Sequence, residues 1–561
     1  MRKNIVTLLF FILYIGLPFD TQASPLLYTE IEQALRPYSN ESAPGYALIV
    51  KYRDEPPIYY YSGLSNIEHQ VPIGNKTVFD AGSVSKTFTG YAIALLIEEN
   101  KIRLSDSIVD HIPEFPEHYR DIQIQHLLAH TSGLWEWSDA LVISGYVANE
   151  EIIDTDRILS LIIDNKAVNF TPGEQYNYSN TGYTLLAEII SRVSGEPFDQ
   201  YMHEKIFSPL KMDSARIARE GISVRNFATS YKKVNSSFVP HPYGFAAQGS
   251  SSTLLSIVDL GRWLENYHKV TLGSNSTHRL TQNKSTLNNG EFSTYGFGLG
   301  IFDGDRRHIH HSGGWRGYLS QFRHYPNDEL SVGILCNSNC NLHQLMKTTV
   351  DIVLEERSNK DEPLVDNAQE GNTKQPVQSM KGDIDLKRFE GKFKVMPGWF
   401  MSIELGSTGD LIGHHQHYSR FETKLKPLDS DTLYVEGQNA TITFGSQDVP
   451  EITWKDDAGT LKLEKLIESK FDTTNYEAYT GLYVNKSLGA IYKVVFENQS
   501  LVVKHSAHGI EKLSSFNNEY FLGQGKFIVE IEFEFIANGK VSGLSISSPR
   551  VSSVFFKKIE I

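Results

Sequence analysis

Residues 357–382 divide this chain into two parts with different hydrophobic rhythms. The segment is rich in Asn, Lys, Asp, Glu, Gln and Pro and carries little apolar periodicity. Such a composition reads as a linker, expected over 358–382, with a loop folded onto the preceding unit as the alternative. Ahead of it, helical and strand patterns are mixed. Beyond it, runs such as Phe400-Met-Ser-Ile-Glu-Leu405, Thr441-Ile-Thr-Phe444 and Phe527-Ile-Val-Glu-Ile-Glu-Phe533 alternate apolar and polar residues between Gly/Asn turns. That alternation marks half-buried strands. The second part also repeats: Phe389-x-Gly391-x-Phe393 returns as Tyr479-x-Gly481-x-Tyr483, and Leu411 as Leu501, at a constant offset. A constant offset is the signature of duplication. Each copy, expected over 383–470 and 471–561, can close a small antiparallel barrel, which leaves no sheet edge open. One larger sandwich is the competing arrangement.

A length of 561 residues exceeds one ordinary domain. Arg2 and Lys3, an apolar run from Ile5 to Leu17, and Thr21-Gln-Ala23 ahead of Ser24 predict a signal peptide over 1–23, and hence a periplasmic or secreted protein. The apolar run is short for a membrane span, so no integral span is expected after cleavage; an uncleaved anchor is the alternative. The two cysteines, Cys336 and Cys340, exclude a disulfide framework. They form either one tight bridge, if a turn brings their α-carbons within reach, or two thiols. A net charge of −14 argues against nucleic acid as a partner, because phosphate binding needs basic surface.

Three short motifs carry chemistry. A serine hydroxyl attacks a carbonyl only when a base takes its proton. Ser83-x-x-Lys86 offers both groups at the start of a helix expected from Ser83 to Glu99, where Phe88, Ala92, Leu95 and Leu96 recur at helical spacing. Residues three apart on a helix share a face, so hydroxyl and amine address one pocket. Ser208-Pro-Leu-Lys211 and Ser230-Tyr-Lys-Lys233 fit the same pattern but open no apolar helix. Tyr178-x-Asn180 is likewise separated from its other matches by context, between Thr171-Pro-Gly173 and the apolar helix Tyr183 to Val193. His311-Ser-Gly313 occurs once, downstream of both.

With Phe79-Asp-Ala-Gly-Ser-Val-Ser-Lys86, Leu127-Leu-Ala-His-Thr-Ser-Gly-Leu134, Thr171-Pro-Gly-Glu-Gln-Tyr-Asn-Tyr-Ser-Asn-Thr-Gly-Tyr183, Ser252-Thr253 with Asp259, and Tyr295-Gly-Phe-Gly-Leu-Gly300, these motifs form an ordered set. The chain resembles the serine β-lactamase and penicillin-binding protein superfamily, in its class C-like branch of esterases and D-aminopeptidases. The resemblance implies an α+β unit over 24–357, an antiparallel sheet flanked by helices plus an all-helical lobe, with the site between them. It further implies that Ser83 is the nucleophile, that Lys86 shares or relays its proton, and that Tyr178 serves as base and then acid. A phenol titrates near 10, so this role leads us to expect Lys86 to lower the Tyr178 pKa. Asn180 would bind Lys86 and the substrate amide, and the backbone N–H groups of Ser83 and Gly314 would form the oxyanion hole. The D-aminopeptidase-like arrangement implies two lipocalin-like barrels after the catalytic unit, and it motivates the expectation that a barrel loop reaches the cleft and restricts substrate size. No cofactor is implied.

His311 stands where β-lactamases and carboxypeptidases of the superfamily commonly carry lysine. Imidazole is largely neutral at pH 7, so strong selection for a substrate carboxylate is not expected. His308 and His310 share the opposite strand face at a spacing that suits zinc, but no cysteine or carboxylate cluster completes a metal site, and a polar strand face is the plainer reading. Gly296-Phe-Gly-Leu-Gly300 lacks the helix and basic residue of a phosphate loop and reads as a strand packed closely behind the active-site strand. The leading functional reading is a serine hydrolase forming an acyl-enzyme on an ester, amide or D-amino-acid-containing peptide. A β-lactamase or DD-carboxypeptidase/penicillin-binding protein, and a non-catalytic penicillin-recognising protein, are the alternatives.

Overall fold

The computed structural model describes residues 25–559, except 147–152, 154, 166, 220, 222, 243, 245, 246, 305, 362–383, 408, 417–419, 437–439, 446–450, 457–458, 467–470, 472, 524–527, 529 and 538. The expected leader, and the expected linker from 362 onward, lie outside the described residues.

Both ends of the first part meet in one sheet. Strand β1 (Tyr46–Tyr52) lies antiparallel between β2 (Ile58–Ser62) and β7 (Leu330–Cys336), in a register pairing Tyr46 with Cys336 and Tyr52 with Leu330. The sheet continues through β6 (Tyr318–Tyr325), β5 (His308–Trp315), β4 (Leu299–Phe302) and β3 (Tyr295–Gly296), giving the order β3-β4-β5-β6-β7-β1-β2. Every residue of β1 and β7 is buried, because both faces are covered. Leu48 and Val50 point to helices α1 (Pro25–Leu35) and α6 (Leu342–Asp361), against Ile31, Met346 and Val353. Ala47 and Ile49 point the other way, to Leu260, Trp263 and Leu264 of helix α5 (Ile257–His268). The period of two thus feeds two cores, and each fully buried Leu or Ile contributes roughly 1.5–3 kcal/mol. Helix α6 runs past Glu356, where apolar periodicity fades, since Glu and Arg sustain a helix without an apolar stripe. Cys336 and Cys340, at the end of β7, are bonded to each other across a Cα–Cα distance of 6.5 Å, which decides between the two alternatives.

The second layer on this face is helical. Helix α2 (Ser85–Glu98) is buried from Ser85 to Leu96, as befits an element apolar all round. Helix α4 (Asn180–Ser194) packs on it and α3 (Trp137–Ser144) packs on α4, in a core that includes Ile93, Leu96, Leu141, Leu186 and Ile190. The helix expected to begin at Ser83 begins at Ser85 instead. Gly82, at φ +51, opens a 3₁₀ turn, Gly82–Val84, that carries Ser83 just ahead of the α-helix.

Glycine decides a second detail. Tyr295 to Gly300 is not one strand but a hairpin, β3 and β4, turning at Phe297 (φ +52) and Gly298 (φ +82), the two positive values that a type I′ turn requires. Its tip presses on helix α2: a Cβ on Gly298 would fall 2.3 Å from the Lys86 carbonyl oxygen, and one on Gly90 would fall 2.1 Å from that of Phe297. The close packing was legible in the glycines; the reversal of direction was not.

The second part forms two closed eight-stranded antiparallel barrels rather than one sandwich. In the first, Gly391–Met396 closes on Gly459–Leu466; in the second, Gly481–Asn485 closes on Val551–Ile559. The repeated residues do the same work in each. Phe389 and Tyr479 precede the first strand, Phe393 and Tyr483 point into the barrel core, and all four are buried. The second barrel shares its core with the first part: Trp135, Ala140 and Ile143 cluster with Tyr492, Val503 and Val554, and the Tyr492 hydroxyl donates to the Ile143 carbonyl at 2.7 Å. The barrels join where Lys394 of the first donates to Glu530 of the second at 2.7 Å.

Candidate active site

Ser83, Lys86, Tyr178 and Asn180 converge at the mouth of helices α2 and α4. Lys86 is completely buried. Its Nζ lies 3.2 Å from Ser83 Oγ and donates to Asn180 Oδ1 and to the Ser250 carbonyl, each at 2.7 Å. Three polar partners satisfy the three ammonium donors, yet burial dominates and pushes its pKa down to about 7; Glu136 opposes the shift and Arg550 adds to it. An amine in that range exchanges protons near neutrality.

The Ser83 hydroxyl hydrogen-bonds Tyr178, whose ring centroid is 4.9 Å from Lys86 Nζ. The expectation that positive charge would lower the phenol pKa is not met. Burial raises it, Glu136 raises it further, and the Ser83 hydrogen bond and Arg550 offset this only partly. The phenol therefore holds its proton, and Lys86 is the group poised to lose one.

Asn180 opens helix α4 with its side chain divided between two neighbours. Its carbonyl faces Lys86, while Nδ2 donates to Glu136 Oε1 at 2.7 Å. The completely buried Glu136 carboxylate also accepts the Asn180 and Thr181 N–H groups at 2.6 and 3.3 Å. It thus occupies the positive end of the helix, where anions are stabilised.

His311, on β5, is buried beside this cluster. Its Nδ1 lies 2.6 Å from the Ser312 carbonyl and so carries the proton, which leaves Nε2 to accept from the Tyr295 hydroxyl at 2.9 Å. Burial, aided by the Lys86 charge, pushes its pKa down to about 3, so the ring is neutral and committed to protein partners. On the other face of β5, the His308 and His310 rings lie 5.3 Å apart, and among the described residues no three metal-ligating side chains gather.

Beyond His310, β5 has no β4 partner and instead meets the turn carrying Ser83. A Cβ on Gly82 would fall 2.7 Å from the Gly314 nitrogen, and one on Gly313 would fall 2.9 Å from the Ser83 nitrogen. Two glycines therefore let the backbone segments that carry the two nitrogens expected of an oxyanion hole approach closely.

Sequence reasoning assigned no role to Glu136, His130 or Arg550. Glu136 had a signal, a carboxylate inside Leu134-Trp-Glu-Trp137, since a charge between two indoles is rarely left on a surface. The buried His130 accepts the Ser179 N–H at 3.1 Å, and its ring lies 4.3 Å from that of Tyr178. Arg550 arrives from the second barrel and is within 3.8 Å of Glu136. Nothing local to residue 550 announces this. A cavity of ≈ 320 Å³ opens beside Tyr178, walled by Leu287, by Met396, Trp399 and Leu461 of the first barrel, and by Arg550.

Parts of this chain are similar to known proteins. The chain is 27% identical over 299 residues to penicillin-binding protein 4* of Bacillus subtilis, covering 50% of this chain and 65% of that protein. It is 27% identical over 306 residues to a D-aminopeptidase of Gluconobacter oxydans, covering 52% and 56%. It thus spans somewhat more than half the length of these relatives. Two solved structures share the fold: an octameric penicillin-binding protein homologue from Pyrococcus abyssi (TM-score 0.51, 22% identity, 78% of this chain and 99% of that one) and a D-amino acid amidase from Ochrobactrum anthropi (TM-score 0.51, 20% identity, 60% and 99%). The beta-lactamase family model matches residues 31–352, the whole stretch that builds the sheet, the helical layer and the Ser83 cluster, and the chain belongs to that family.

Proposed function

We propose that this protein is a serine hydrolase that cleaves small esters, amides or D-amino-acid-containing peptides through an acyl-enzyme on Ser83. The observation that carries the reading is a completely buried amine of pKa about 7, 3.2 Å from a serine hydroxyl. Neutral Lys86 takes the Ser83 proton as the oxygen attacks the carbonyl carbon. The backbone N–H groups of Ser83 and Gly314 hold the developing oxyanion, an effect worth several kcal/mol where donors are preorganised. Tyr178, protonated and in contact with Ser83, donates to the leaving oxygen or nitrogen and recovers a proton from Lys86. Water then reverses the sequence and frees Ser83.

Neutral His311 supports substrates without a free carboxylate, and the apolar cavity walls support an apolar acyl side chain. The D-aminopeptidase and D-amino acid amidase among the relatives point the same way. The basic, apolar N-terminus supports export, which cell fractionation tests.

A fluorophosphonate probe and a panel of p-nitrophenyl esters, D-amino-acid anilides, D-Ala-D-Ala peptides and nitrocefin test the proposal. The probe labels the protein at Ser83, Ser83→Ala is not labelled, and a burst followed by steady turnover appears on an ester or anilide. Labelling that survives Ser83→Ala rejects the nucleophile. A burst without turnover favours the penicillin-binding alternative, and no labelling at all favours the binding protein.

A further inference from the structure

Glu136 and Asp139 are carboxylates buried within one turn of each other at the start of helix α3. Two adjacent buried negative charges are costly unless a cation and hydrogen bonds compensate them. Among the described residues, the guanidinium paired with both belongs to Arg550, 3.8 Å from Glu136 Oε1 and 3.0 Å from Asp139 Oδ1. Arg550 sits in the hairpin between strands Val541–Ser548 and Val551–Ile559 of the second barrel. That hairpin is tied down on every side. The Arg550 carbonyl accepts the Glu136 N–H at 3.1 Å and Asn169 Nδ2 at 2.9 Å, the Pro549 carbonyl accepts Asn177 Nδ2 at 3.2 Å, and Ser548 Oγ donates to Asp139 at 2.9 Å. Asn177 immediately precedes Tyr178, so the hairpin is built into the segment that presents the phenol.

We propose that Arg550 is a positioning residue of the Ser83 site: its guanidinium balances the buried carboxylates of Glu136 and Asp139 and, through Glu136, fixes Asn180 against Lys86. The inference rests on the serine-hydrolase reading and makes the second barrel part of the catalytic apparatus. The electrostatics agree with the geometry. The titratable and charged groups around Lys86 are Glu136, Arg550, Tyr178, Tyr183, His130 and His311, and the Arg550 charge acts on Lys86, Tyr178 and His130 alike. Asp456, Glu174 and Glu291 line the cavity that Arg550 also borders. Without the guanidinium, Glu136 is left to hold the proton on Lys86.

The test is the second-order rate of Ser83 labelling by a fluorophosphonate as a function of pH, on the full chain, with thermal melting recorded for each variant. Arg550→Gln is expected to label about 5-fold more slowly at pH 7, because the acid limb is displaced upward by about one pH unit. Arg550→Lys restores the limb to within a few tenths of a unit. Glu136→Gln moves the limb downward, which decides the matter should Arg550→Gln not fold. A limb that stays in place in Arg550→Gln, whatever its rate, overturns the proposal and leaves Arg550 a merely structural anchor; an unmoved limb in Glu136→Gln overturns it equally. A wild-type protein that does not label at Ser83 rejects the hydrolase reading instead, before any variant is compared.

Discussion

Under the proposed mechanism, the burial of one residue, Lys86, sets the working pH of the site. Its folded-state pKa of about 7 lies well below the usual lysine value near 10.5, with burial as the chief cause. The amine is therefore protonated and unable to accept the Ser83 proton below about pH 6, and increasingly competent as pH rises through 7. A kcat/KM profile on an uncharged ester is expected to rise with a limb near 7. Lys86→Ala removes the limb and slows acylation by about 10²–10⁴-fold, as loss of a general base does. That Ser83, Lys86 and Tyr178 would meet was legible in the sequence, because short-range spacing and context bring them together. The protonation assignment was not, since it depends on how many residues crowd Tyr178, and spacing does not record crowding.

At the level of elements, the hairpin β3–β4 matters because its tip meets the backbone of the very turn that holds Lys86. Gly298→Ala places a Cβ into a left-handed residue (φ +82) and onto the Lys86 carbonyl at 2.3 Å. It is expected to cost roughly 2 kcal/mol or more, read as a lowered denaturation midpoint, with loss of activity at temperatures where the fold persists. The first barrel contributes side chains instead of backbone. Trp399→Ala enlarges the cavity beside Tyr178 and is expected to raise kcat/KM for bulky acyl groups relative to small ones, measured on a graded ester series. Strand alternation and the Phe389/Tyr479 repeat made two barrels readable, because a period of two and a constant offset are local properties. Which barrel residues face the cleft was unreadable, since docking follows from three-dimensional surfaces.

Over the whole molecule, burial of neutral imidazoles couples stability to pH. His268 and His310 are pushed down to about 4, and His311 and His324 to about 3, burial being the leading cause in each. The unfolded chain takes up these protons near 6.5, and the folded one does so only at much lower pH. The stability tied to these histidines is thus fully present above pH 6.5 and lost as pH falls toward 3–4. Denaturant midpoints measured from pH 7 to 4 are expected to decline steadily, whereas a flat profile would show that the rings are solvated. The architecture also orders events in time. Ser83 and Lys86 are synthesised early, and domains of a growing chain fold from the N-terminus onward. The guanidinium beside Glu136 and Asp139 is added hundreds of residues later, on a hairpin set by the strand that seals the last barrel. A nascent polypeptide therefore carries Ser83 and Lys86 for most of its synthesis without the countercharge to Glu136 and Asp139, so under the proposed mechanism assembly of the far end acts as the arming step.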